Sequence, residues 1–125
     1  MRLYTLPIGI LTSIAFSFPS CVLAETKSEQ LLLDKTINAI NVCYHYAGEI
    51  GDQSEERNNE LERGIRRDCP NAKSLARQAF LKYPNNERLY EPILNLSDIG
   101  WFKLSTDQKS KLCASYPKNA TCQIK

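Results

Sequence analysis

Apolar residues in this chain recur mainly at intervals of three and four, which is the spacing of one face of an α-helix. The longest such stripe predicts a first helix over residues 28–47. Its members are Leu33, Thr36, Ile37, Ile40, Cys43, Tyr44 and Ala47. No stretch alternates apolar and polar residues over six positions with the β-branched enrichment of a strand. The pattern therefore predicts an all-α protein.

The next two predicted helices are separated by a proline. A highly charged helix over residues 53–67 has a thin apolar edge, formed by Leu61 and Ile65. Pro70 is then suited to the first position of a third helix, over residues 70–83, because the missing proline N–H costs nothing there. The apolar face of this third helix is wide, which favours a central place in the core.

Two shorter helices complete the predicted fold. One covers residues 92–98 and ends near Gly100. The other covers residues 106–115 and begins after Ser105, which forms a capping-box pattern with Gln108. An aromatic turn containing Trp101 and Phe102 lies between them. The expected fold class is a small, disulfide-stapled all-α bundle of four to five helices.

The first 24 residues are typical of a cleavable secretory signal peptide. Arg2 precedes an uncharged, mostly apolar run over residues 3–18, and Ala24 closes a Val-Leu-Ala cleavage site before a polar stretch. The run is shorter than the ~20 residues that a membrane span needs. A lipoprotein signal at Cys21 is the alternative, and the residues before this cysteine fit it poorly.

Export follows from this interpretation. We expect a signal peptide over residues 1–24 and a single helical domain over residues 25–125, without a membrane span in the mature chain. The destination is the periplasm if the host is Gram-negative, and the exterior of the cell otherwise.

Four cysteines remain in the mature chain: Cys43, Cys69, Cys113 and Cys122. An even number in a small exported chain predicts two disulfides, and zinc is disfavoured because His45 is the only histidine. Sequence proximity favours Cys43–Cys69 with Cys113–Cys122. In a straight antiparallel hairpin of the first two helices, however, Cys43 and Cys69 would lie roughly 20 Å apart. Four cysteines allow three pairings, and the sequence leaves the pairing open.

Candidate chemistry is sparse. His45 is followed by Glu49 one helical turn later, and by Asp52 and Glu56, but one histidine with loose carboxylates is not a metal signature. No Gly-x-Ser-x-Gly motif is present, and bridged cysteines cannot act as nucleophiles. We expect no catalytic site, no metal site and no cofactor.

Charge is unevenly distributed along the mature chain. Residues 25–68 contain 6 basic and 10 acidic residues, whereas residues 69–125 contain 9 basic and 4 acidic residues. Neither half has a dense basic run, so nucleic acid is not expected as a partner, and the two halves are expected to attract each other in the fold. Trp101 and Phe102 are the best candidate binding residues, because interface hot spots favour aromatic anchors. The alternative is that both rings cap the core.

The expected function is that of an exported, non-enzymatic binding protein. Its partner would be a protein in the cell envelope, as for inhibitors and immunity-type proteins of similar design. An alternative is a carrier of a small apolar ligand. The cysteine intervals of 25, 43 and 8 residues resemble those of insect odorant-binding proteins, although the C-x-x-x-C pair of that family is absent. A hydrolase without a known motif is the third possibility, and it would need a cleft with a perturbed titratable group.

Overall fold

The computed structural model describes Gly9, residues 25–51 and residues 53–123, and the predicted signal peptide lies outside these residues apart from Gly9. The described chain forms four α-helices: α1 (Lys27–Glu49), α2 (Glu55–Lys82), α3 (Tyr90–Asp98) and α4 (Thr106–Ser115). Two short 3₁₀ helices, Glu87–Leu89 and Ala120–Cys122, precede α3 and close the tail. The predicted disulfide-stapled all-α bundle is confirmed. No helix in this part of the chain has the length and apolar character to cross a membrane.

Helices α1 and α2 form a long antiparallel hairpin. Three contacts fix its register: Cys43 with Cys69, Thr36 with Leu75, and Tyr46 with Gly64. The Thr36 hydroxyl donates to the Leu75 carbonyl at 3.5 Å, so this buried polar group has a partner. At Gly64 an added Cβ would lie 3.1 Å from the Tyr46 ring, so a glycine permits the close approach.

The predicted helix break at Pro70 is wrong, because α2 is continuous over 28 residues. Ser54 caps its start by accepting from the N–H of Arg57 at 3.2 Å. Pro70 is exposed, whereas Cys69 and Ala72 on either side are fully buried. A proline inside a helix costs roughly 3 kcal/mol. The apolar face of α2 is buried on both sides of the proline, and this burial outweighs that loss.

The disulfide between Cys43 and Cys69, here called the hairpin disulfide, joins α1 to α2 with 4.9 Å between the Cα atoms. The linker carries the chain about 12 Å past the end of α1, along the axis of the hairpin, before α2 starts and runs back alongside α1. The predicted separation of the two cysteines, which assumed that α2 starts level with the end of α1, was therefore wrong. The linker leaves α1 in an extended conformation at Ile50. Asn58 holds this linker, accepting from the N–H of Gly51 at 3.1 Å and donating to the carbonyl of Gln53 at 3.2 Å. This offset brings the two cysteines level with each other.

Helix α3 packs against the hairpin and completes the core. Its residues Ile93, Leu94 and Leu96 are fully buried, as is Leu112 of α4. The helix starts two residues before Pro92, the predicted start. Pro92 is therefore in the first turn, where a backbone N–H has no partner within the helix.

Helix α4 and the tail follow the sequence prediction closely. The capping box is present: Ser105 accepts from the N–H of Gln108 at 3.1 Å, and Gln108 accepts from the N–H of Ser105 at 2.9 Å. A second disulfide, Cys113–Cys122, here called the tail disulfide, ties the tail back to α4 with 5.5 Å between Cα atoms. Both pairs are those favoured by sequence proximity.

Charged side chains connect the start of α1 to the segment that leads into α3. Asn86 donates to Glu25 at 2.9 Å and to Glu29 at 3.1 Å. Arg88 forms ion pairs with Glu25 at 3.0 Å and with Asp34. These contacts join the acidic first half of the chain to the basic second half, as the charge distribution predicts.

Candidate binding site

The end of α3 determines where Trp101 lies. Gly100 has a left-handed conformation, with φ of 84°, which costs other L-residues about 1–2 kcal/mol. Its N–H donates to the Ser97 carbonyl at 3.0 Å, and the N–H of Trp101 donates to the Leu96 carbonyl at 3.0 Å. These two bonds form a Schellman motif. Trp101 is therefore held by the backbone that ends the helix.

The two predicted binding residues, Trp101 and Phe102, are both half-buried and pack against the core. The Phe102 ring meets Phe80 of α2 edge to face, with 6.2 Å between ring centroids and 83° between planes. This arrangement is favourable for aromatic pairs. Both rings therefore pack against the core, as the second alternative predicts, and each keeps an accessible part.

Two adjoining clefts flank Trp101. The first, here called the turn cleft, has a volume of about 470 Å³ and lies between α2, the turn that follows α3, and α4. The second, the helix cleft, has a volume of about 520 Å³ and lies along α2. Lys73, Arg77 and Trp101 line both clefts. Trp101 therefore belongs to both of these neighbouring clefts.

The clefts are positively charged. Four cations line them: Lys73 and Arg77 from α2, Lys103 from the turn, and Lys109 from α4. Within residues 25–51 and 53–123, no carboxylate lines either cleft and none of these cations belongs to an ion pair. Lys73 and Arg77 are four residues apart on one helix, where like charges repel. The arrangement can hold an anionic group.

These cations were missed in the sequence because they are scattered over residues 73–109. The sequence has no dense basic run, and the fold instead brings single cations together from three elements. The excess of 9 basic over 4 acidic residues after residue 68 was the available signal.

His45 lies away from these clefts, on α1. Its side chain is 68% exposed and its Nε2 is 3.2 Å from Glu49. Glu49 also forms an ion pair with Arg57 at 3.1 Å. The described residues contain no cluster of three or more histidine, cysteine, aspartate or glutamate side chains that could hold a metal ion. Asp52 lies outside the described residues, and Glu56 lies in the first turn of α2, where a negative charge suits the helix dipole.

Hydrogen bonds to carboxylates raise the pKa of three arginines. The largest cause is Glu60 for Arg57, Asp68 for Arg67 and Asp34 for Arg88. A guanidinium is protonated at all physiological pH values in any case. These pairs therefore serve the surface structure rather than acid–base chemistry.

The fold and the clefts define a small, disulfide-bonded all-α protein with a cationic surface around an aromatic turn. Comparison of the chain with protein-family models, with curated proteins and with solved structures finds no match. Function therefore has to be inferred from the chemistry of the clefts.

Proposed function

We propose that this chain is an exported, non-enzymatic binding protein that engages a protein partner in the cell envelope through Trp101, Phe102 and the two flanking clefts. The observation that supports this most is the position of Trp101, which is anchored by the Schellman motif and borders both clefts. Tryptophan and arginine are enriched at binding hot spots, and both line these clefts.

Export is supported by the composition of the first 24 residues and by the two disulfides. Disulfides persist in oxidising compartments such as the periplasm and the cell exterior. They also keep the scaffold rigid, which lowers the entropy that is lost on binding. A rigid scaffold with a fixed aromatic anchor suits inhibitors and immunity-type proteins.

The other two functions have less support. A carrier of an apolar ligand needs an enclosed apolar cavity, whereas the clefts at Trp101 lie at the surface and are bordered by four cations. A hydrolase needs an acid or base next to its substrate, and His45 lies with Glu49 in a separate surface depression on α1, outside both clefts.

The proposal is tested with Trp101→Ala, measured for both stability and partner affinity. The partner is first captured from the cell envelope on immobilised protein, identified by mass spectrometry and purified. We expect the variant to bind it with about 2 kcal/mol less free energy, or roughly 30-fold more weakly. Because Trp101 is half-buried, urea unfolding should show a smaller loss than the roughly 3–5 kcal/mol of a fully buried tryptophan.

Leu81→Ala is the matched control, because Leu81 is 87% exposed and lines neither cleft. It should leave both stability and affinity unchanged. A Trp101→Ala protein that loses stability but keeps its affinity would remove this turn from the functional site. A catalytic activity that is abolished by His45→Ala, with folding and binding intact, would overturn the non-enzymatic proposal.

A further inference from the structure

We infer that the ligand of the two clefts is an acidic, extended polypeptide segment. Its carboxylates would contact Lys73, Arg77, Lys103 and Lys109, and an apolar side chain would lie against Trp101. This inference rests on the proposed function, since it specifies which part of a protein partner the site takes.

The charge of the site favours an acidic ligand. Four cations without a carboxylate among the described lining residues repel one another in the free protein, and a bound anion relieves this repulsion. A ligand that carries carboxylates would supply the negative charge that the described lining lacks.

The shape of the site favours an extended ligand. Each cleft has a volume within the roughly 300–1,000 Å³ of typical ligand sites, and Trp101 borders both. Lys73 and Arg77 border both clefts, whereas Lys103 and Lys109 border only the turn cleft. A single small anion would occupy one cleft. A chain that crosses Trp101 occupies both and places acidic residues on either side of the ring.

The residues that line the clefts also favour a ligand that carries both carboxylates and an apolar side chain over a polymer that is charged along its whole length. Trp101, Phe102 and Leu104 give the turn cleft an apolar part next to its cations. A peptide can alternate acidic and apolar side chains to match both.

The chain contains a single tryptophan, so intrinsic fluorescence reports on this site directly. The experiment titrates the purified, oxidised protein with a short peptide of glutamates around one central phenylalanine. The same peptide with glutamine in place of glutamate is the paired ligand control. We expect a saturable fluorescence change with the acidic peptide, weakened severalfold between about 50 and 200 mM salt, and none with the glutamine peptide.

Substitutions then locate the peptide. Lys73→Gln combined with Lys109→Gln removes one cation from each side of the turn cleft, and should weaken binding about tenfold or more. Lys27→Gln with Lys82→Gln changes the net charge equally at exposed positions that line neither cleft, and should leave binding unchanged. Urea unfolding of both double variants verifies that they are folded.

Several results would overturn the inference. These are the absence of a saturable change up to about 1 mM peptide, equal binding of the glutamine peptide, or equal weakening by both double variants. Tighter binding to a single-stranded oligonucleotide or to anionic phospholipid vesicles than to the acidic peptide would also contradict it. If partner capture requires Trp101 but tolerates the substitution of Lys73 and Lys109, the proposed function stands and only this inference fails. If capture does not require Trp101, both fail.

Discussion

Replacing Pro70 by alanine should stabilise this protein, because the proline lies near the middle of the 28-residue helix α2. Its ring nitrogen cannot donate to the carbonyl of Arg66, the acceptor that the helix provides four residues earlier. Relative to alanine, an interior proline costs about 3 kcal/mol. Alanine also gives the unfolded chain more conformational entropy than proline does, and this offsets about 0.4–1 kcal/mol of the gain. Since Pro70 is exposed and its removal leaves no cavity in the core, the expected net gain is about 2 kcal/mol.

Urea unfolding of the oxidised protein, followed by circular dichroism, measures this gain. With a typical dependence on urea for a domain of this size, the midpoint should rise by roughly 1 M. Pro117→Ala is the control, because Pro117 occupies an exposed turn closed by the bond from the N–H of Asn119 to the carbonyl of Tyr116. Proline suits that position, so the control should be neutral or lose up to about 1 kcal/mol. A Pro70→Ala protein that is no more stable than the wild type would refute a continuous α2.

Two further predictions concern the turn and the tail. Gly100→Ala should cost about 1–2 kcal/mol in urea unfolding, because Gly100 has a positive φ, whereas Gly48→Ala, in α1 and with open space at its Cβ, should be neutral or stabilising. A limiting amount of reductant should open the tail disulfide before the hairpin disulfide, because Cys113 and Cys122 are half-buried and both hairpin cysteines are fully buried. Differential alkylation with mass spectrometry measures the order, and removal of the tail disulfide should cost about 2.5 kcal/mol.

Local signals in the sequence predicted the helices well where the local preference and the tertiary packing agree. Ser105 and Gln108 form the predicted capping box, and α4 has the predicted bounds. Pro70 shows the opposite case, since its local preference for a helix start is overruled by the burial of α2 on both sides of it. The register of the hairpin depends on the path of the linker, which the helical periodicity does not encode. The distance between Cys43 and Cys69 was therefore misjudged.

The candidate site was only partly predictable for a related reason. Trp101 and Phe102 stand out in the sequence as bulky residues outside the helical stripes, and the structure places both half-buried beside the clefts. The lysines around them carry no local pattern, because their proximity comes from the packing of α2 against the turn and α4. Lys73 and Lys109 are 36 positions apart and meet at one cleft.

The tail disulfide also affects when the turn cleft is complete. Thr121 lines that cleft, and it is held by a hydrogen bond from its hydroxyl to the Leu94 carbonyl at 2.8 Å and by the adjacent disulfide at Cys122. A newly made chain with free thiols has the hydrogen bonds of the tail and its packing against the core, but no covalent link, to keep this wall in place. Oxidation would then act as a maturation step that completes the turn cleft only in a compartment that forms disulfides. The proposed binding would therefore be weaker for the same chain in a reducing compartment.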